Sequence, residues 1–243
     1  MSYIDGFVIA VPTADKDKFI RHANQADAVF MKLGATRIVE AWGNDVPKGE
    51  VTDFQKAVQA TDDETVAFSW IEWPDKATRD AAMAKSEELM KSDDRLHPEK
   101  NPMPFDGKRM IFGGFAPFLD ETGEGTPGYA DGYVLPVHPD RKDDYRAMAA
   151  KMAPIFRDYG ATRVVEAWGD DVPDGKVTDF KRSVKAAGGE NVVFSFIEWP
   201  DKATRDEAWG KMMQDERMKP PDGEPPFDGK RMFWGGFKPV VEL

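Results

Sequence analysis

Carboxylates paired with tryptophans occur at two places in the sequence and are the residues best suited to chemistry. Glu40 and Trp42 are two positions apart in a β-branched segment, so they share one face of the predicted strand. Glu166 and Trp168 repeat this arrangement 126 residues later. A carboxylate withdrawn from water has a raised pKa and can accept a proton from an acidic phenol, while the indole supports a planar ligand. Glu40 and Glu166 are therefore the candidate catalytic bases.

Further acidic and aromatic residues on the same predicted strands, or at their ends, are candidates for ligand binding. Together with the tryptophans above, these candidates are Trp42, Asp45, Glu72, Trp168, Asp171 and Glu198. A structural interpretation stays open for all of them, because ion pairs and core packing produce the same residue pattern as a ligand site. Asp5 and Arg109 suit the structural interpretation, since they lie on predicted neighbouring strands and are expected to form a cross-strand ion pair.

Residues that usually hold metals or cofactors are scarce in the sequence. The three histidines, His22, His97 and His138, have no histidine counterpart at the equivalent position of the other half, and cysteine is absent. The lack of cysteine excludes disulfides, thiolate metal sites and a cysteine nucleophile. The sequence also lacks the dinucleotide, P-loop, zinc-protease and serine-hydrolase motifs. We therefore expect neither a metal site nor a cofactor.

The charge of the chain argues against two classes of partner. The formal net charge is −11, which opposes the phosphate contacts that drive nucleic-acid binding and the attraction to anionic membranes. The sequence has no run of 18 apolar residues, and its first residues lack the basic and apolar regions of a signal peptide. We expect a cytoplasmic protein that binds neither nucleic acid nor membrane, and whose possible partner is a small molecule.

Most of the chain is an internal duplication. GATRIVEAWGNDVP at 34–47 recurs as GATRVVEAWGDDVP at 160–173, and SWIEWPDKATRD at 69–80 recurs with one difference at 195–206. PFDGKRMIFGGF at 104–115 recurs with two differences at 226–237. We call residues 1–120 the first repeat and residues 127–243 the second repeat, and we predict each to be one α+β barrel repeat.

The pattern within each repeat predicts the order β-α-β-β-α-β. In the first repeat the expected strands are Tyr3–Val11, Thr36–Trp42, Thr65–Trp73 and Lys108–Phe115. Two helices covering one face of a four-stranded sheet leave the other face bare, and that face must be buried. The second repeat supplies an equivalent sheet. The sequence therefore predicts an eight-stranded barrel with a lined interior, closed within a chain that is monomeric.

The repeated strings, together with VTDF at 51–54 and its recurrence at 177–180, resemble the bacterial domain of unknown function 1428 family of the dimeric α+β barrel superfamily. The resemblance implies a ferredoxin-like unit whose usual homodimer is built here into one chain. It implies no activity, because the family is uncharacterised. The superfamily includes cofactor-free monooxygenases of quinone-like substrates, haem-binding members and ligand-sensing domains.

Three functional hypotheses follow from these observations. The first is a protein without an assigned activity that binds a small apolar or aromatic molecule in the barrel. The second is an enzyme resembling the cofactor-free monooxygenases, in which Glu40 or Glu166 acts as the base. The third is a structural or interaction role with the barrel filled by side chains. The volume of the interior separates the third hypothesis from the other two.

Overall fold

The computed structural model describes residues 2–219 and 224–243, and the fold is α+β. The strands are β1 (Tyr3–Pro12), β2 (Arg37–Asp45), β3 (Glu64–Trp73), β4 (Ile111–Thr122), β5 (Tyr129–Val137), β6 (Arg163–Asp171), β7 (Asn191–Trp199) and β8 (Phe233–Glu242). The helices are α1 (Lys16–Lys32), α2 (Phe54–Ala57), α3 (Lys76–Leu89), α4 (Lys142–Asp158), α5 (Phe180–Ser183) and α6 (Lys202–Met212). Each repeat thus adds one short helix, α2 or α5, to the predicted elements.

The strands form a closed antiparallel barrel in the order β1-β3-β2-β8-β5-β7-β6-β4. Each repeat contributes four adjacent strands, as expected for a ferredoxin-like sheet. The two sheets join through β2 with β8 and through β4 with β6, so each repeat supplies the neighbours that the edge strands of the other need. Closure removes the open edges that would otherwise invite association with other chains.

The interior of the barrel is filled by aromatic side chains from both repeats. Phe68 and Phe194 stack with their ring centroids 4.7 Å apart, and Trp70 and Phe196 stack at 4.3 Å. A Cβ atom on Gly6 would lie 2.6 Å from the Phe194 ring, which shows how tightly this core is packed. The space that the sequence analysis assigned to a ligand is therefore occupied by the protein itself.

The two ends of the barrel are closed by different means. At one end Arg37 lies 2.7 Å from Glu198, and Arg163 lies 2.7 Å from Glu72, so that charges of each repeat are paired with those of the other. At the other end α2 and α5 insert apolar side chains, including Phe54, into the interior cluster. Glu72 and Glu198, two of the predicted ligand-binding residues, thus belong to the ion pairs that close the barrel.

The longer helices cover the outer face of the barrel across the junctions between repeats. Helix α1 lies over β2 and β8, and α4 lies over β4 and β6. Helix α3 is capped by Asp75, which accepts a hydrogen bond from the Thr78 backbone N–H at 2.7 Å. Within residues 2–219 and 224–243, no helix is both long and apolar enough to span a membrane.

Candidate functional site

The second repeat contains a cavity of about 760 Å³ between its sheet and its helices. The floor is formed by outward-facing residues of β5, β6 and β7, and the roof by one face of α4. Trp209 of α6 and Phe227, which lies before β8, complete the wall. The volume falls within the range of about 300–1,000 Å³ that is typical of small-molecule sites.

Regular spacing in the sequence brings the lining residues together. Tyr145, Met148, Met152 and Phe156 recur at intervals of three or four residues, so they share one face of α4. Glu166 lies on the outward face of β6, opposite this helix face. Most of the lining is aromatic, aliphatic or methionine, and methionine adapts its shape to irregular partners. The cavity is suited to a planar apolar molecule.

Glu166 is an enclosed carboxylic acid on the floor of this cavity. The hydroxyl of Tyr145 donates a hydrogen bond to Glu166 Oε2 at 2.7 Å. Burial raises the pKa of Glu166 from 4.5 to about 7, and the hydrogen bond from Tyr145 acts in the opposite direction. Near neutral pH, this group can therefore both accept and release a proton.

A second hydroxyl lies on the same floor. Tyr133 of β5 lines the cavity, and its hydroxyl oxygen is buried without a hydrogen-bond partner among residues 2–219 and 224–243. Burial raises the pKa of Tyr133 well above its usual value, so its hydroxyl stays protonated. Two tyrosines and one carboxylate thus provide polar groups on or near the floor of a mainly apolar cavity.

The equivalent region of the first repeat has different chemistry. His22 stands where the second repeat has Met148, and its Nδ1 lies 2.9 Å from the side-chain oxygen of Asn101. Asn101 also donates to the Arg95 backbone carbonyl at 2.7 Å. These contacts tie the segment after α3 to α1, and they involve a histidine where the second repeat has a methionine.

Glu40 lies beneath α1 and has another acid near it. It accepts a hydrogen bond from Ser69, whereas its counterpart Glu166 accepts one from tyrosine. Asp27 of α1 is buried, and burial together with the charge of Glu40 raises the pKa of Asp27 well above its usual value. Ala153 takes the place of Asp27 in the second repeat. Ionisation of both Glu40 and Asp27 therefore meets like-charge repulsion. The alanine removes this repulsion in the second repeat.

The structure separates the other predicted site residues from the cavity. Glu40 and Trp42 do share a sheet face, but this face lies under helix α1 rather than inside the barrel. Trp42 packs 5.9 Å from Phe19, and the Lys142 ammonium lies 4.5 Å above the Trp168 ring. The inward face carries the smaller Val39 and Ala41, because the barrel interior is crowded by phenylalanine rings.

The carboxylates at the ends of β2 and β6 join the repeats to each other. Asp171 accepts a hydrogen bond from Arg79 at 2.7 Å, and Asp45 accepts one from Arg205 at 3.0 Å. In both pairs the arginine belongs to the opposite repeat. These two predicted ligand-binding residues lie in cross-repeat ion pairs.

The predicted ion pair between Asp5 and Arg109 is wrong. Asp5 accepts from Arg79 Nε at 2.9 Å and from Trp73 Nε1 at 2.8 Å, whereas Arg109 lies 2.6 Å from Glu64. Asp5 points toward the helix layer, so its partner comes from α3. The register of adjacent strands alone did not indicate this contact.

Comparison with known proteins identifies the family. A sequence profile described as "Protein of unknown function (DUF1428)" matches residues 2–107 and 128–229. The chain belongs to the DUF1428 family. Each match covers most of one repeat, so this DUF1428 protein carries the family's unit twice.

The chain is also similar to a known sequence and to two solved structures. The uncharacterized protein YbaA of Escherichia coli (strain K12) is 57% identical over 114 residues, which are 47% of this DUF1428 chain and 97% of YbaA. A candidate monooxygenase from Fusobacterium nucleatum superposes with a TM-score of 0.57 at 10% identity, covering 99% of this chain and 93% of that one. A candidate monooxygenase from Lactobacillus acidophilus has a TM-score of 0.58 at 11% identity, covering 100% and 95%. At these identities the two structures establish the fold, an α+β barrel.

Sequence reasoning missed several residues that line the cavity of this DUF1428 protein. Tyr133 and Tyr145 replace Phe7 and Phe19 of the first repeat, and Trp209 replaces a methionine. A hydroxyl added at a core position in one repeat alone is a signal that aligning the repeats provides.

Proposed function

We propose that this protein binds a small, mostly apolar aromatic molecule in the cavity of the second repeat. The observation that carries the proposal is the cavity itself, which measures about 760 Å³ and lies between the sheet and α4. Apolar side chains form most of its wall, whereas stacked aromatic rings fill the barrel interior. An apolar cavity with a few convergent polar groups is the usual form of a small-molecule site.

Blocking the cavity tests this proposal. Met148 lies on the α4 face that forms the roof, so Met148→Trp places a large ring in the ligand space. We expect wild-type protein to bind 2-methoxynaphthalene in isothermal titration calorimetry. The affinity of the Met148→Trp variant should be at least about tenfold lower. Arg146→Trp is the matched control, since Arg146 is an exposed residue of the same helix outside the cavity.

Two results would contradict the proposal. One is the absence of binding by wild-type protein, tested also with 2-naphthol. The other is equal loss of affinity in both tryptophan variants, which would place the ligand elsewhere. Circular dichroism of both variants shows whether the fold is retained.

The pKa of Glu166 supports a second candidate function, oxygenation without a cofactor. Burial raises this pKa to about 7, so the carboxylate can act as a base at neutral pH. The Fusobacterium and Lactobacillus structures, which share the fold, are described as candidate monooxygenases. Glu166 would take a proton from an acidic ring CH₂ group. Dioxygen would then supply one oxygen atom to the new carbonyl and release the other as water.

Oxygen uptake distinguishes catalysis from binding. With anthrone as substrate, the enzyme hypothesis requires oxygen consumption by wild-type protein that Glu166→Gln abolishes. Glu40→Gln is the matched control in the first repeat. A Glu166→Gln variant that retains full activity would exclude this residue as the base, and uptake equal to a protein-free sample would leave ligand binding alone.

A further inference from the structure

The Glu166 carboxylate is held in place by a hydroxyl of helix α4. The Tyr145 hydroxyl occupies Glu166 Oε2 at 2.7 Å, and this tyrosine side chain is itself buried. One oxygen of the carboxylate is thereby fixed to the helix. Ser195 of β7 also hydrogen-bonds this carboxylate, and Glu166 lines the cavity.

The first repeat shows the same carboxylate without this contact. There Phe19 replaces Tyr145, and the hydrogen bond to Glu40 comes from Ser69, which lies on the sheet rather than on the helix. Asp27 adds a second acid close to Glu40, which disfavours any further negative charge. The second repeat has the uncharged Ala153 at that position, so this source of repulsion is removed there.

We propose that the cavity selects aromatic molecules bearing a hydroxyl group and that Tyr145 is its positioning residue, holding the Glu166 carboxylate so that it receives the hydroxyl of the ligand. This inference rests on the proposed function, because it requires that the cavity bind aromatic molecules. The ligand hydroxyl is a hydrogen-bond donor, the ionised carboxylate is acceptor-only, and a charge-assisted bond of this kind is stronger than a neutral one. The surrounding apolar wall strengthens it further by excluding water.

A matched pair of probes tests the inference. 2-Naphthol and 2-methoxynaphthalene have nearly the same shape, but only the naphthol can donate a hydrogen bond. A phenol-type hydroxyl stays protonated to about pH 9, and its hydrogen bond to Glu166 is much stronger when the carboxylate is ionised. With a Glu166 pKa of about 7, we expect the affinity of wild-type protein for 2-naphthol to rise about tenfold from pH 6 to pH 8. The methoxy compound should show no such rise.

Tyr145→Phe separates positioning from simple packing. The variant keeps the ring and carries the residue found at the equivalent position, Phe19, so we expect it to fold. Loss of one hydrogen bond to the carboxylate raises the pKa of Glu166 by about one unit, which lowers the affinity for 2-naphthol at pH 7 about fivefold. Affinity should recover as the pH rises toward 9, because the carboxylate ionises again. Glu40→Gln, the first-repeat control, should leave the whole profile unchanged.

The outcomes distinguish this inference from the proposed function. If both probes bind with equal, pH-independent affinity, the cavity binds aromatic molecules but the hydroxyl selection is wrong. If Tyr145→Phe weakens both probes equally at every pH, Tyr145 is a packing residue and not a positioning residue. If neither probe binds wild-type protein, the proposed function and this inference fail together.

Discussion

Replacing Glu166 by glutamine should make the protein's stability less dependent on pH. The folded protein favours the protonated acid, since burial raises the pKa of Glu166 from 4.5 to about 7. In the unfolded chain, the acid ionises near pH 4.5. As the pH rises, the unfolded state therefore loses its proton first and is stabilised relative to the folded state. The stability that protonated Glu166 contributes is fully present below pH 4.5 and is lost as the pH rises to about 7. Above that pH this group no longer changes the free energy of unfolding.

The size of the effect follows from the pKa shift. One pKa unit corresponds to about 1.4 kcal/mol, so the shift to about 7 is equivalent to about 3 kcal/mol. Glu166 borders the cavity and keeps some contact with solvent, which reduces the expected value to about 2–3 kcal/mol. The free energy of unfolding of Glu166→Gln should gain this amount over wild type between pH 4 and pH 8.

Urea unfolding of both proteins at several pH values measures this difference. Glu64→Gln is a control of opposite sign, because the hydrogen bond from Arg109 lowers the pKa of Glu64 to about 2. Its contribution is present above pH 4.5 and is lost as the pH falls, so that variant should be less stable than wild type at neutral pH. A difference between Glu166→Gln and wild type that stays constant from pH 4 to pH 8 would refute the burial argument.

Two further substitutions test how the barrel is held together. Arg37→Ala removes the partner that lies 2.7 Å from the Glu198 side chain, which is 2% exposed. The substitution should lower the free energy of unfolding by about 3–5 kcal/mol. A loss below about 1 kcal/mol in urea unfolding would show that this pair does not hold the repeats together. Gly6→Ala puts a methyl group within 2.6 Å of the Phe194 ring and should cost about 1–3 kcal/mol in thermal or urea unfolding, whereas an unchanged midpoint would mean that the interior has spare room.

The local sequence determines much of this architecture. The repeated strings define two equivalent units, and apolar spacing of three and four residues predicts the long helix of each. Alternation places Glu40 with Trp42 and Glu166 with Trp168 on common strand faces, as the structure has them. These features are predictable because period and propensity are properties of neighbouring residues.

Tertiary packing decides which face of each strand is the interior. Both faces of β2 are apolar, with Val39 and Ala41 on one and Ile38 and Trp42 on the other, so alternation alone cannot tell inside from outside. The large rings of β3 and β7 fill the barrel and leave room there for small residues of β2. The larger residues of β2, with Glu40 among them, consequently lie under the helix.

The same packing decides where a ligand can enter. Cavity volume depends on side chains from β5, β6, β7, α4 and α6 together, and the sequence does not show which of them meet. Glu166 and Tyr145 are 21 residues apart in the chain, yet the helix–sheet layer brings their oxygens within 2.7 Å. The sequence supplied the carboxylate and the repeat, but only the tertiary structure placed a tyrosine hydroxyl and an apolar chamber beside it. The physical reason is that contacts between distant segments arise from how surfaces fit, which no local pattern encodes.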